Sequence, residues 1–242
     1  MDPKCIKGDQ VKLSNPIAHQ VKSVLRLNPG QEIQVADNLG NEYLVRLGSF
    51  YPTHIEGTIT NITFGQTEPK IILNLYQGIM KGDRFETTLQ KGTEIGISKF
   101  VPVVCERIQP KVSTLWFQKR SRRWNKILQE ASEQSGRTHI PYLDNPDSIA
   151  NSLDTAPGLR LIAWENEQHI SLKTVIEENE NLIVEKGVSV FVGPEGGFSP
   201  QEIESATKLE ISRVSLGPRI LRAETAGIVI ASAVMYHFGE LQ

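Results

Sequence analysis

The sequence predicts an α/β protein in two unequal parts, in which a mostly parallel sheet with helices on both faces follows a small, mainly antiparallel β module. In residues 1 to about 72, short strand patterns are separated by turn residues. From Gly82 onward, helical and strand patterns alternate, which is typical of a parallel sheet covered by helices. The 242 residues suffice for one large domain or two unequal ones, and we expect two, covering residues 1–72 and 73–242.

Composition and charge narrow the class of protein. A hydrophobic content of 39% and a charged content of 22% are those of an ordinary globular chain, and no apolar run is long enough to cross a bilayer. Residues 1–9 lack the apolar core of a signal peptide, so we expect a cytoplasmic protein without a membrane partner. Cys5 and Cys105 lie far apart, without His or Cys at metal-ligand spacing, which predicts neither a disulfide nor a metal site. The net charge of -2 still permits a local basic face.

The N-terminal module consists of strand patterns around one helix. Residues 17–27 have helical spacing of apolar side chains, and the turn at 28–30 ends that helix. Alternating apolar residues on either side of a turn at 38–41 predict a hairpin, and two further strands are expected at 58–64 and 70–75. The sum is a small barrel or sandwich, a type of module that often binds nucleic acid.

The second part alternates helices and strands. The expected elements are a helix at 85–97 interrupted by Gly92, a strand at 100–104, a basic amphipathic helix at 119–135, a strand at 159–164 and a helix at 172–178. Pro102 cannot donate a ladder hydrogen bond, so we expect its strand to be short or at the edge of the sheet. Gly136 ends the long basic helix.

A final helix at residues 224–238 is apolar nearly all round. Such a helix must be buried on more than one side. Its small residues Ala226, Gly227, Ala231 and Ala233 allow another backbone to approach closely. Two interpretations stay open, a subunit interface and the central core helix of a monomer.

Two loops rich in glycine and proline each follow a short β-branched run and precede a helical pattern. The first is GPEGG at residues 193–197, and the second is LGPRILRAETA at 216–226. At adjacent strand ends, such loops can hold one small molecule between them. Glu195 favours a cationic ligand over a polyphosphate, because like charges repel. The alternatives are a purely structural turn for the first loop and, for the second, a charge-paired helix entry through Arg219, Arg222 and Glu224.

Six sequence blocks resemble one known family and occur in its order. The blocks are HQVKSVLRLNPG (19–30), LQKGTEIG (89–96), VPVVCER (101–107), RWNKILQEASEQSGR (123–137), FVGPEGGFSPQEI (191–203) and LGPRILRAETA (216–226). Five of them resemble the RsmE family of ribosomal small-subunit RNA uridine-N3 methyltransferases, which belongs to the SPOUT superfamily. The first block resembles the PUA-like N-terminal domain of that family. Together they cover nearly the whole chain and are more specific than any single block.

The resemblance implies a fold, a cofactor and partners. It implies a PUA-like RNA-binding β-barrel domain at 1–72, and a SPOUT domain at 73–242 whose mostly parallel sheet ends in a trefoil knot. It also implies S-adenosylmethionine held in the knot, 16S ribosomal RNA or the small ribosomal subunit as substrate, and a homodimer whose site draws on both subunits. By match of motif, the residues that would bind the methyl donor are Gly193, Glu195, Gly196, Gly197, Leu216, Ile220 and Leu221.

Methylation of uridine N3 requires that its proton leave and that the resulting negative charge be stabilised. Arg222 is the leading candidate for charge stabilisation, and Glu195 is a candidate orienting group or base. Further candidates are Arg107 and Arg137 as cations, and Glu94 and Glu130 as bases or as structural ion-pair partners of those arginines. The target base would have to leave its stack to reach the knot.

Basic residues in both parts are candidate phosphate contacts. They are Lys22, Arg26, Lys91, Arg107, Lys119, Arg120, Arg122, Arg123 and Arg137. For any one of them, a solvated helix face is the alternative interpretation. Two alternative functions also stay open: a non-catalytic RNA-binding ribosome assembly factor, and a knotted methyltransferase that acts on another RNA.

Two positions depart from the family pattern. Gly92 stands where the family usually has alanine, which predicts a helix weaker by about 1 kcal/mol. Ala223 replaces a typical threonine, so any hydroxyl contact at this position is absent. Neither change removes a charged group, and we expect activity to be retained.

Overall fold

The computed structural model describes residues 1–65, 67–108 and 112–241. The chain forms two compact units. The first unit is Met1–Glu68 with Gly136–His139, and the second unit is Pro69–Ser135 with Ile140–Gln242. Each unit has an apolar core of its own. Within the described ranges, no helix combines the length and the hydropathy needed to span a bilayer.

The first unit is built on an antiparallel sheet. Its strands are β1 (Ile6–Lys7), β2 (Gln10–Ser14), β3 (Glu32–Ala36), β4 (Asn41–Phe50) and β5 (His54–Phe64), in the order β1-β2-β5-β4-β3. The predicted hairpin is confirmed as β3 and β4, with Val35 opposite Tyr43. Asn38 (φ 63°) and Gly40 (φ 99°) provide the left-handed backbone of its turn.

The helix of the first unit is shorter than expected. It consists of α1 (Ile17–His19) and a π-helical turn over Gln20–Val24. The prediction over residues 17–27 is therefore confirmed in place but not in length or regularity. Val21 is buried in the core of the unit, and β-branched side chains such as this one favour helices weakly.

The second unit contains a seven-stranded sheet whose described strand pairs are all parallel. Its strands are β6 (Leu73–Gly78), β7 (Lys99–Val104), β8 (Tyr142–Leu143), β9 (Asp147–Ser148), β10 (Leu159–Ala163), β11 (Val188–Val192) and β12 (Ser212–Val214). Their order is β12-β10-β11-β6-β7-β8, and β9 also pairs with β7. The predicted mostly parallel sheet is confirmed.

The strand expected at residues 70–75 does not belong to the antiparallel module. It is β6, which pairs with β11 on one side and with β7 on the other. All six residues of β6 are buried, as in a parallel strand covered on both faces. The apolar pattern identified a strand but not its partners, because pairing depends on residues distant in the chain.

Pro102 lies in β7, a six-residue strand inside the sheet, whereas we expected its strand to be short or at the edge. β7 pairs with β6 on one side and with β8 and β9 on the other. The two short strands pair with residues 99–100 and 103–104, so that Pro102 lies between them. The missing proline N–H thus coincides with a break in the neighbouring strand.

Helices cover both faces of the second sheet. They are α2 (Arg84–Ile95), α3 (Thr114–Ser135), α4 (Ile149–Thr155), α5 (Leu172–Glu178), α6 (Glu180–Lys186), α7 (Pro200–Lys208) and α8 (Ala223–His237). In β11, Val190 and Val192 join an apolar cluster with α8, while Phe191 joins another with α7. This alternation is that of a strand buried on two faces.

The small residues of α8 serve the core of the chain itself. An added Cβ on Gly227 would lie 3.1 Å from Gln77 Oε1 and 3.2 Å from Leu75 Cδ2. Close approach is therefore needed at Gly227 against β6, which favours the core-helix interpretation for this residue, while a subunit interface stays a prediction. Another side of α8 leaves Val229 and Tyr236 exposed, at 38% and 73%.

Gly92 in α2 is packed more tightly than its sequence context suggested. An added Cβ would lie 2.7 Å from Ile97 Cδ1 and 2.8 Å from Phe100 Cε1. Both neighbours are fully buried. The expectation that alanine would strengthen this helix considered propensity alone and omitted this steric conflict.

Candidate functional site

A cavity of about 1120 Å³ lies in the second unit, where β10, β11 and β12 end. Its lining comes from the loops after these strands, within residues 163–171, 193–198 and 215–222, and from the start of α8. Arg84, the first residue of α2, also lines it. In an open parallel sheet, the loops at the carboxyl ends of the strands form the usual ligand site.

The two predicted loops line this one cavity, but their strands are not neighbours. β10 lies between β11 and β12, so its following loop forms a third wall. This Glu165 loop, residues 164–171, was missed because chain order does not fix strand order. The signal in the sequence was a run of polar residues after a buried strand, and its members Glu165, Glu167, Gln168 and His169 all line the cavity.

The GPEGG loop is a tight turn between β11 and α7. The N–H of Gly197 donates to the carbonyl of Pro194 at 2.9 Å, and the φ of Gly197 is 68°. An added Cβ there would lie 2.8 Å from Glu165 Oε1, so that both backbone conformation and space require glycine. A capping box then begins α7, with the N–H of Glu202 donating to Ser199 Oγ at 3.3 Å and the N–H of Ser199 donating to Glu202 Oε2 at 2.6 Å.

Glu195, in the middle of this turn, accepts hydrogen bonds from two residues, one just before α2 and one at its N-terminal end. Its Oε1 accepts a hydrogen bond from Arg84 Nη1 at 2.9 Å and from the N–H of Lys81 at 3.0 Å. The carboxylate is therefore paired within the chain. The sequence indicates this charge but not its pairing with residues more than a hundred positions away.

Two further side chains fix the main chain of the GPEGG loop. Gln77 Nε2 donates to the carbonyl of Gly193 at 3.2 Å, and Arg107 Nη1 donates to the carbonyl of Gly196 at 3.1 Å. Gln77 is fully buried at the end of β6. Arg107, which we predicted as a phosphate contact, is thus seen supporting the loop.

The Arg222 loop, residues 216–222, joins β12 to α8. Leu216 and Leu221 are partly buried against the core, whereas Ile220 is 86% exposed. Arg222 is the N-cap residue of α8, and its exposed side chain forms no ion pair with any residue in the described parts of the chain. The guanidinium and the positive end of the helix dipole therefore reinforce each other beside the cavity, which favours an anion.

The Glu165 loop carries one buried and one exposed carboxylate. Glu167 Oε1 accepts hydrogen bonds from the N–H groups of His169 (2.9 Å) and Ile170 (3.2 Å), and Oε2 lies 3.6 Å from Arg213 Nε. The backbone hydrogen bond from His169 is the main cause that holds the pKa of Glu167 below its usual value. Glu167 thus fixes the loop, and Glu165 is the exposed carboxylate of this loop in the cavity lining.

Every residue predicted to bind the methyl donor lines this cavity. They are Gly193, Glu195, Gly196, Gly197, Leu216, Ile220 and Leu221. Arg222, the predicted charge stabiliser, lines it as well. The structure brings these residues together, and their individual roles stay predictions.

Glu94 and Glu130 do not line this cavity. They lie in a separate groove of about 310 Å³ between α2 and α3. Glu94 pairs with Lys91 at 2.9 Å and Glu130 with Lys126 at 3.4 Å, rather than with the arginines that we considered. Their position argues against either carboxylate as the base.

The basic residues of α3 have mixed surroundings. Arg123 pairs with Glu86 at 2.6 Å but keeps 66% of its side chain exposed. Arg120 lies 5.0 Å from the centroid of the Trp116 ring, and Arg122 is exposed. These side chains keep their charge at the surface, where a phosphate contact stays a prediction.

The basic residues of the first unit differ from one another in how far their side chains are exposed. The side chain of Arg137 is only 5% exposed, and its Nη2 lies 2.7 Å from Glu68 Oε2. Its guanidinium is enclosed by the protein, contrary to the predicted contact with RNA. Lys22 donates to the carbonyl of Tyr51, and Arg26 is exposed.

A parallel sheet whose glycine-containing loops enclose a cavity at its carboxyl edge defines a class of α/β proteins that bind a nucleotide-sized ligand there. A family model described as the RNA methyltransferase domain matches residues 67–235. The chain belongs to this family and, within it, to the ribosomal RNA small subunit methyltransferase E proteins.

The similarity to known members covers nearly the whole chain. Ribosomal RNA small subunit methyltransferase E of Bacillus subtilis (strain 168) is 32% identical over 225 residues, which cover 90% of this chain and 86% of that protein. The crystal structure of the protein of that name from Neisseria gonorrhoeae, bound to S-adenosyl methionine, is 30% identical with a TM-score of 0.84, covering 94% of this chain and 92% of that one. A putative methyltransferase of Legionella pneumophila, in complex with the same cofactor, is 28% identical with a TM-score of 0.84, covering 95% and 93%.

Proposed function

We propose that this protein transfers the methyl group of S-adenosylmethionine to N3 of a uridine in 16S ribosomal RNA. As a member of its family, it is an S-adenosylmethionine-dependent methyltransferase of ribosomal RNA. The choice of a uridine and of its N3 atom as the methylated position goes beyond this family activity and is the proposal. The observation that carries it is the convergence of Arg222 and the GPEGG loop on one cavity.

The residues of the cavity fit the methyl donor. The volume of about 1120 Å³ exceeds the roughly 300–1,000 Å³ of a typical small-molecule site, which leaves room for a base beside the donor. An added Cβ on Gly193 would lie 3.2 Å from the carbonyl carbon of Gly197, so glycine at this position lets the two ends of the GPEGG loop approach closely. Glu165, an exposed carboxylate of the cavity lining, supplies negative charge that suits a sulfonium.

The reaction requires that one proton be removed from uridine N3 and that the resulting negative charge be stabilised. S-adenosylmethionine supplies an electrophilic methyl group on a sulfonium. The N–H of uridine is a weak acid like a phenol, with a pKa of about 10. N3 therefore becomes a competent nucleophile only when its proton leaves. Arg222 stabilises the negative charge that then spreads over N3, O2 and O4. The remaining contribution is to hold the methyl carbon and N3 in contact.

Glu195 has an orienting role in this proposal. Its Oε1 already accepts one hydrogen bond from the N–H of Lys81 and one from the side chain of Arg84, so this oxygen is engaged within the chain. It therefore holds the GPEGG loop in place for the donor rather than accepting the uridine proton.

The proposal extends to the fold and to the assembly. We assign a PUA-like barrel to residues 1–72, a trefoil-knotted SPOUT domain to 73–242, and the cytoplasm as location. The five-stranded antiparallel sheet of the first unit supports an RNA-binding role. The exposed Val229 and Tyr236 of α8 support a homodimer.

A methylation assay on naked 16S RNA and on assembled small subunits tests this function. Wild type is expected to form 3-methyluridine, which blocks the Watson–Crick edge and stops reverse transcription at one position. Arg222→Ala is expected to lower the rate by roughly 10²- to 10³-fold, as for other lost charge-stabilising donors, while calorimetry shows that the donor still binds. Lys173→Ala, which removes an exposed lysine of α5, is the control and should retain the wild-type rate.

Other outcomes separate the alternatives. If wild type fails to bind S-adenosylmethionine at millimolar concentration, the enzyme reading is wrong and an RNA-binding assembly factor takes its place. A methyl group found on another atom or on another RNA contradicts the assignment of substrate. Full activity of Arg222→Ala refutes the role given to that residue.

A further inference from the structure

Arg84 links the two loops that carry the predicted donor-binding residues. It is the first residue of α2, and its guanidinium lies in the cavity lining together with Glu195 and Glu224. Arg84 Nη1 donates to Glu195 Oε1 at 2.9 Å. The same Oε1 accepts a hydrogen bond from the N–H of Lys81 at 3.0 Å. The centre of the GPEGG loop is therefore bonded to residues 81–84.

Glu224, in the first turn of α8 after the Arg222 loop, lies on the other side of the same guanidinium. Arg84 Nε is 3.9 Å from Glu224 Oε1. The second oxygen, Oε2, is buried and has no hydrogen-bond partner in the described parts of the chain. A buried carboxylate oxygen without a partner destabilises the folded state, so Glu224 depends on the nearest cation. Among described residues, Arg84 supplies its ion pair.

Within residues 1–65, 67–108 and 112–241, no other ion pair joins these two loops through a shared residue. Gln77 and Arg107 donate to carbonyl groups of the GPEGG loop and, in the part of the chain that the structure describes, to none of the Arg222 loop. Without a cation between them, Glu195 and Glu224 would repel each other across the cavity. We propose that Arg84 is a positioning residue whose guanidinium, between Glu195 and Glu224, sets the separation of the GPEGG and Arg222 loops and thereby the affinity for the methyl donor.

This inference rests on the proposed donor site, and it makes a prediction that simple electrostatics does not. Removal of Arg84 leaves two carboxylates without their counter-ion beside the cavity. If only charge mattered, the variant would bind cationic S-adenosylmethionine more tightly and the product S-adenosylhomocysteine, which lacks the sulfonium charge, about equally. If Arg84 positions the loops, the affinity for both compounds falls by a similar factor.

Calorimetric titration of the full chain with both compounds tests the proposal. Arg84→Ala is expected to weaken each by about tenfold, and Arg84→Lys to recover only part of the loss, because one ammonium does not reproduce the two separate donors of a guanidinium. In the double variant with Glu195→Gln, the losses should not add, because both changes break the same link. Arg46→Ala is the matched control, since it removes an exposed arginine paired with Glu32 in the first unit and should bind like wild type.

The remaining readouts separate a positioning role from a general loss of structure. Circular dichroism of Arg84→Ala should match that of wild type, and the KM for the donor should rise more than kcat falls. Wild-type affinity for both compounds in Arg84→Ala, or tighter binding of S-adenosylmethionine alone, overturns the proposal. The binding test also holds if wild type methylates an RNA atom other than uridine N3, so failure of the proposed substrate and failure of this inference are distinguishable.

Discussion

Arg137 stabilises the first unit through Glu68. Glu68 Oε2 accepts from Arg137 Nη2 at 2.7 Å, and Oε1 accepts from the N–H groups of Thr138 and His139 at 2.9 Å each. Burial raises the pKa of Glu68, but the hydrogen bonds from Arg137 and His139 and the charge of Arg137 together outweigh burial, so the net pKa lies below its usual value. Because the basic residue and its partner are far apart in the chain, the sequence suggested a free cation instead.

Glu68→Gln should destabilise the protein by about 3 kcal/mol at neutral pH, because it leaves a buried guanidinium without its counter-ion. The folded-state pKa of Glu68 is below the unfolded value of about 4.3. The stabilisation is therefore complete above that pH and is lost as the pH falls through the folded-state pKa. Urea denaturation should thus show a difference between wild type and variant that is constant from about pH 5 to 7 and narrows in acid.

Glu32→Gln is the control for this measurement, since Glu32 pairs with Arg46 at the surface of the same unit. It should change the free energy of unfolding by less than about 1 kcal/mol. An equal effect of the two substitutions, or a difference for Glu68→Gln that grows in acid, would contradict the role given to the Glu68–Arg137 pair.

At the scale of elements, α2 shows where local propensity and tertiary packing disagree. Gly92→Ala would add helix propensity of about 1 kcal/mol. The new Cβ would also overlap the rigid ring of Phe100, and overpacking of a filled core typically destabilises by about 1–3 kcal/mol. We expect net destabilisation, measured as a lower urea midpoint with an unchanged denaturant slope.

Gln90→Ala, at an exposed position of the same helix, is the control and should change stability by less than about 0.5 kcal/mol. Stabilisation by Gly92→Ala would show that the core relaxes around the added methyl group. Propensity would then dominate, as the sequence alone suggested.

At the scale of the whole molecule, the sequence identified the fold class and the cavity loops but not the order of the strands. The alternation of helical and strand patterns predicts a parallel sheet, and the motif at 193–197 predicts one of the loops that line the cavity. The position of β10 between β11 and β12 depends on pairing between distant residues, which periodicity does not encode. Arg84, Gln77 and Glu167 were missed for the same reason, since each acts through contacts outside its own segment.

The proposed homodimer gives a prediction at this scale. Val229→Glu on the exposed side of α8 should produce a monomer, because it places a charge in an apolar contact. Light scattering should give about twice the chain mass of 27.0 kDa for wild type and the chain mass for the variant. Val184→Glu on α6, where the valine is 64% exposed, is the control and should stay dimeric. A monomeric wild type, or a dimeric Val229→Glu, would contradict a subunit contact on this helix.

The place of β6 in the second sheet has a consequence for synthesis of the chain. β6 emerges from the ribosome early, and Leu73 pairs with Val188 of β11, which is made much later. At about 5–20 residues per second, this strand, all of whose residues are buried in the folded protein, keeps one edge unpaired for on the order of ten seconds. β7 can cover only the other edge during that time. We therefore expect the nascent chain to bind chaperones until β11 is made, and slow translation between residues 104 and 188 to lower the yield of folded protein.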